Sequence, residues 1–269
     1  MPARYPERIV CLTEETTETL YLLGEERRIV GISGYTVRPP RARREKPRVS
    51  AFLSAKTEKI LALKPDLVLG FSDLQADIAK DLVKAGLNVV IFNQRSVEEI
   101  LTFIQVLSSI VGAPVKGKRL VASLERNLQE IRKAAPRRRP RVYFEEWDSP
   151  MISGIRWVSE LIEIAGGEDV FKELSFSQGA AGRTIADPAE VVKRKPDLIL
   201  GSWCGKKFRP ERVAARAGWQ AIPAVRDGEL HEIKSAEILQ PGPAALTDGV
   251  RRIHELLRAF LSRARLVQP

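Results

Sequence analysis

The chain has 269 residues, 44% of them hydrophobic and 29% charged, and its 44 Lys and Arg against 34 Asp and Glu leave a net charge of +10. That length and apolar content suffice for one large or two ordinary domains, and no apolar run approaches the ~18 residues of a membrane-spanning helix. The positive charge suggests a polyanion or an anionic ligand as partner, but prolines break both basic runs, 37–48 and 136–141, so they read as solvated loops, and no nucleic-acid module is expected.

Taken in chain order, the start "MPARYPERIVCL" lacks the basic segment, apolar run and cleavage site of an export signal, which predicts a cytoplasmic chain as written. A removed leader would instead imply a periplasmic or membrane-associated protein. "RIVCL" from Arg8 predicts a buried strand, a loop at 13–16 and an amphipathic helix that stops at Gly24. "TEKILALKPDLVLG" predicts a helix ended by proline and then a short strand buried on both faces. The helix stop Ala85-Gly86 precedes "LNVVIF". Leu120, Leu124, Leu128 and Ile131 mark one face of a helix over about 115–135, roughly 30 Å at ~1.5 Å per residue and therefore a stiff connector. "RVYFE" from Arg141 opens a second series, with a loop at 146–154, a helix to Gly166, "PAEVVKRKPDLILG", and Ala217-Gly218 before "WQAIPAV". "PAALTDGVRRIHELLRAFLSRARL" closes the chain as an amphipathic helix expected on the second lobe.

The phrase "KPDLVLG" at Lys64 returns as "KPDLILG" at Lys195, 131 residues later, and the flanking anchors share that offset to within two residues. A repeat of this kind decides the architecture before any single residue does. It predicts an α/β fold of two Rossmann-like lobes with parallel sheets, 1–112 and 138–269, joined by a single long helix at 113–137, with the ligand cleft between them. The loops at the carboxyl ends of the strands then supply an aromatic and basic inventory: Tyr35, Phe52, Phe71, Trp147, Trp203, Arg38, Lys206, Lys207 and Arg209. Cys11 and Cys204 are expected as two buried thiols rather than a disulfide. Few Asn, Gln, Met and Cys beside abundant Arg suggest a thermostable protein.

Nearly the whole chain resembles the substrate-binding proteins of ABC importers for cobalamin, ferric siderophores or haem, on the strength of "RIVCLTEETTETLYLLG", "IVGISGYTVRPP", "KILALKPDLVLG" and "ISGIRWVSELIEIAGGEDVF". The cobalamin-binding branch is the nearest match. The resemblance implies non-catalytic binding of a large metal chelate, cobalamin first, against an aromatic pocket of Tyr35, Phe52, Phe71 and Trp147, whose flat faces suit a corrin. It also implies that Glu58 and Glu190, at equivalent helix starts, dock onto the two subunits of a permease. A local alternative exists for Glu190, since Asp187-Pro188-Ala189-Glu190 reads as a capping arrangement.

Other functions remain open. An anionic ferric siderophore or haem would suit Arg38, Lys206, Lys207 and Lys234, and Tyr35 could ligate haem iron. A cytoplasmic sensor or carrier without a permease is a further alternative. A bare zinc or manganese site is not expected, because only His231 and His254 are available. No enzyme and no catalytic cofactor is expected either: Glu145, Glu146 and Asp148 are the best carboxylate cluster but alternate across a strand, with no base beside them. The protein is expected to be a monomer.

Overall fold

A computed structural model describes residues 5–266, with side chains through Arg263. The outermost residues of both expected lobes, 1–4 and 267–269, lie outside the described residues. Two compact units emerge, one formed by the chain up to Gln94 with Glu98–Glu125 and Gln240–Pro243, the other by Arg95–Val97, Arg126–Leu239 and the chain from Ala244.

The first unit alternates strand and helix. Its elements are β1 (Ile9–Cys11), α1 (Glu14–Leu22), β2 (Ile29–Ser33), α2 (Ala42–Glu45), β3 (Arg48–Ser50), α3 (Thr57–Ala62), β4 (Leu67–Phe71), α4 (Ala76–Lys84), β5 (Val89–Phe92) and α5 (Val97–Ile110). All its strands pair in parallel in the order β3-β2-β1-β4-β5. β1 has no polar alternation, and its residues are all buried, as a central strand covered on both faces requires. The chain builds outward from β1 to β3, then returns to lay β4 on the other side of β1. That reversal puts the switch in strand order at the carboxyl ends of β1 and β4, the place where open α/β sheets hold ligands.

The helix expected over 115–135 is α6 (Pro114–Lys133), and the division between the units falls inside it. Val121, Leu124, Leu128 and Ile131 are its buried stripe, with Leu120 half-buried beside them.

The second unit comprises β6 (Arg141–Asp148), β7 (Met151–Ser153), α7 (Arg156–Ala165), β8 (Glu168–Asp169), α8 (Ala189–Arg194), β9 (Leu198–Gly201), α9 (Pro210–Ala214), α10 (Pro223–Arg226), β10 (Leu230–Glu232), α11 (Ser235–Ile238) and α12 (Val250–Leu266). Its sheet runs β10-β9-β6-β7, with β8 beside the start of β6. Tyr143, Phe171, Trp203, Phe208 and Trp219 fill its core in edge-to-face pairs. α12 packs on α7, and the His254 ring nitrogen Nδ1 lies 3.0 Å from the Ala165 carbonyl.

Four local expectations are corrected. The loop expected at 13–16 is shorter, because α1 begins at Glu14. The segment 146–154 is a hairpin rather than a loop: β6 continues to Asp148, and β7 returns antiparallel after Ser149-Pro150. "WQAIPAV" does not repeat the strand of "LNVVIF". Pro223 sits at the first turn of α10, where its missing N–H costs nothing, and the sheet position goes to β10. Cys11 is buried, but Cys204 is exposed on the turn after β9.

The duplication is visible in the backbone. Gly24 and Gly166, Lys64 and Lys195, and Gly86 and Gly218 are equivalent pairs, and all six have φ between +43° and +99°.

Candidate functional site

At the carboxyl edge of the first sheet, β2 ends at Ser33, whose Oγ accepts from the Tyr35 N–H at 3.3 Å, and the Tyr35 side chain is left 61% exposed. The neighbouring backbone is tied to α1. Both the Val37 and the Arg38 N–H donate to Glu14 Oε1 at 2.8 Å, and Arg38 Nε is 2.9 Å from Glu18 Oε1. Arg38, expected to face an anionic ligand, is thus already paired. The acids that hold this loop are themselves buried. Burial raises the Glu14 carboxyl to about 7 against the opposing pull of the Val37 and Arg38 N–H groups, and it raises Glu15, which accepts from the Thr13 hydroxyl, to about 7 as well.

Phe52 lies half-buried in the turn after β3, and Phe71 is the last residue of β4, 6% exposed. Gln75 joins the two, since its Oε1 accepts from the Phe71 N–H and its Nε2 donates to the Phe52 carbonyl. The edge also carries Leu53 and Leu74, both well exposed. Sequence reasoning missed Leu53, Leu74 and Gln75. Their only signal was adjacency to Phe52 and to the end of the repeated phrase, and apolar type alone marks a residue for the core as readily as for a ligand.

At the corresponding edge of the second sheet, Trp147 stands half-buried near the end of β6, with the Lys206 ammonium 4.0 Å from its ring centroid. Lys206 also pairs with Asp148, whose carboxyl is held below its usual range against its partial burial. Trp203 is a correction: at 1% exposure its ring is core, and its indole N–H donates to Glu145 Oε1 at 3.0 Å. Glu145 is fully buried, bound by both Arg216 terminal nitrogens and by the Tyr143 hydroxyl at 3.0 Å. Glu146 pairs with the buried Arg183. Each of the three carboxylates noted in the sequence therefore has its own cation. Lys207 and Arg209 are exposed beyond β9, while Lys234 is 2.5 Å from Glu232.

Glu58 and Glu190 are each the second residue of their helix, α3 and α8, at matching places in the two units. The capping arrangement is only half formed. Asp187 Oδ1 accepts from the Ala189 N–H at 2.9 Å, whereas Glu190 turns away to Lys193 at 2.5 Å.

α/β units whose strand-end loops carry exposed rings and cations have the makings of small-molecule binding sites. This chain belongs to the periplasmic binding protein family, whose model matches residues 9–237. A vitamin B12-binding protein of Vibrio cholerae is 26% identical over 94% of this chain and 89% of its own length. Among solved structures, a possible iron-binding (periplasmic solute-binding) protein of Staphylococcus epidermidis shares the fold with a TM-score of 0.80 at 22% identity, covering 94% of this chain and 99% of that one. A periplasmic haem-binding protein of Roseiflexus does so at 0.77 and 24%, covering 93% and 99%.

Proposed function

We propose that the protein is the substrate-binding component of an ABC importer and that its ligand is a large, ring-containing metal chelate, a corrinoid first. The exposed apolar edge of the first sheet carries this reading. Tyr35, Leu53 and Leu74, with Phe52 beside them, offer a surface that a flat, methyl-rich macrocycle covers well. The likeness to the Vibrio cholerae protein named for vitamin B12 supports it. A second reading, an anionic haem or ferric siderophore, draws support from exposed Lys207 and Arg209 beyond β9. Either way the role is binding. Glu145, Glu146 and Asp148, each engaged by a cation, are poorly placed to trade protons with a substrate. Glu58 and Glu190 are the residues we assign to docking on a permease.

Calorimetric titration with cyanocobalamin, haemin and a ferric hydroxamate siderophore, at low and high salt, tests the reading. Cyanocobalamin binding that survives high salt is the expected result, since attraction to a basic surface is screened beyond about 10 Å at 0.1 M salt. Tyr35→Ala is expected to weaken it by very roughly 1–3 kcal/mol, the loss of one desolvated ring. Binding of none of the three overturns the proposal.

A further inference from the structure

We infer that Gln75 is the positioning residue of the first sheet's ligand face, tying the turn that carries Phe52 and Leu53 to the end of β4. Gln75 is 0% exposed and lies in the tight turn Asp73–Gln75 that follows β4. Its Oε1 accepts from the Phe71 N–H at 3.0 Å and its Nε2 donates to the Phe52 carbonyl at 2.9 Å. One partner can only donate and the other can only accept, so the amide has a single usable orientation. A hydrocarbon would make neither bond, and a carboxylate would make only the one to Phe71.

The surroundings are shaped to this side chain. A Cβ on Gly70 would stand 2.6 Å from Gln75 Oε1, so the strand must be bare where the amide lies against it. Ser72 has φ 78° and ψ 151°, a region costly for any residue with a Cβ. It is held there by its N–H on the Phe92 carbonyl at 2.8 Å, while the Gln75 N–H returns to the Ser72 carbonyl at 3.0 Å. On the other side, the turn bearing Phe52 is closed on itself by the Ala51 N–H on the Ser54 carbonyl at 2.7 Å and by the bridge between Ser50 and Ala55. A turn closed in this way moves as a unit, so the bond to the Phe52 carbonyl aims both Phe52 and the exposed Leu53.

This inference rests on the reading that this edge holds the ligand, and the experiment keeps the two apart. Full-length wild type, Gln75→Met and Gln75→Glu are compared by amide hydrogen exchange at Phe71 and residues 51–54, and by titration with cyanocobalamin and haemin. For Gln75→Met the expected result is exchange about tenfold or more faster at those amides and about tenfold weaker binding of whichever probe wild type takes up. Gln75→Glu carries a readout that a merely structural role would not move. Ionised, it can serve Phe71 but not Phe52. Burial raises its pKa, and lowering the pH from 8 to 5 returns the donor proton. Affinity and protection, relative to wild type at the same pH, then recover toward the wild-type level. The nearest acid in the turn, Asp73, already accepts from the Ser72 hydroxyl at 2.8 Å.

Unchanged exchange in a folded Gln75→Met protein overturns the inference. So does unchanged probe affinity despite faster exchange, or a Gln75→Glu protein that does not recover at pH 5. If Gln75→Met does not fold, the two pH values of Gln75→Glu decide. If wild type binds neither probe, the corrinoid and haem readings fall, while the exchange measurements still decide whether Gln75 makes the tie.

Discussion

The repeated Lys-Pro-Asp is a clamp on the opening strand of each unit. Lys64 and Lys195 take the left-handed conformation that ends α3 and α8, and the aspartate two residues on then reaches the chain entering the sheet. Asp66 accepts from the N–H groups of Glu7 and Arg8 at 2.8 and 3.0 Å, and Asp197 accepts from that of Arg141 at 2.9 Å. Each aspartate also returns its own N–H to the Arg8 or Arg141 carbonyl. The phrase ends in glycine for a matching reason: a side chain from the following turn folds back over it, Gln75 over Gly70 and Phe208 over Gly201. We expect Asp66→Ala and Asp197→Ala each to lower stability by about 1–2 kcal/mol, with urea midpoints as the measure. Because the clamps are local to their units, the two losses should add. Stability unchanged in both would remove the clamp as the reason for the repeat.

Among the helices, α1 is the unusual one, since Glu14, Glu15 and Glu18 are all buried on it. A carboxyl near 4.5 in the unfolded chain and about 7 in the folded one means that the folded state holds protons the unfolded state has lost. Stability should therefore fall as pH rises from about 4.5 to about 7 and then level off, a change on the order of a few kcal/mol for the pair. Glu15→Gln, which keeps the shape and removes the titration, is expected to flatten urea stability across that window. Asp148, Asp227 and Glu232 have carboxyls held below their usual range, so their opposite contribution is lost only in more acid solution. A stability that rises from pH 5 to 7 in wild type and is unaltered by Glu15→Gln would contradict the burial argument. The helix also shows the limit of pattern reading. "TEETTETLYLLG" was legible as an element, but its acids would be assigned to solvent by type; the loop of Val37 and Arg38 closes over Glu14 and Glu18, and Gly242 lies against Glu15.

For the protein as a whole, the proposed docking on a permease falls to the matched acids Glu58 and Glu190. The Glu190 pair with Lys193 is half exposed on a helix surface, where such pairs contribute about 0–1 kcal/mol. The cap instead comes from Asp187. Glu58→Ala with Glu190→Ala is thus expected to leave ligand affinity unchanged and stability nearly so, while abolishing stimulation of a cognate permease's ATPase. Asp187→Ala should cost about 1 kcal/mol of stability and leave that stimulation intact. A double variant that still stimulates the permease fully would refute the docking assignment.

The sequence by itself determined the α/β class, the duplication and the long helix, because these rest on local signals that survive without neighbours. They are apolar periods of two kinds, prolines that stop helices, and residues tolerant of positive φ. Leu67–Phe71 could be named a buried strand from its own residues. The candidate site was only half legible. Tyr35 stands at an exposed edge as a ring beside a strand end suggests, but Trp203, chosen by the same rule, is core, with Phe208 packed edge-to-face on its ring and Glu145, 58 residues away in the chain, taking its indole N–H. Arg38 and Lys206 looked available and are already paired with Glu18 and Asp148. Gln75 looked like any polar turn residue, yet its amide spans 23 residues of sequence to hold Phe52. The tertiary structure alone decided which polar groups meet, because burial, pairing and charge state depend on what the fold brings within about 3 Å, and distance along the chain says nothing about that.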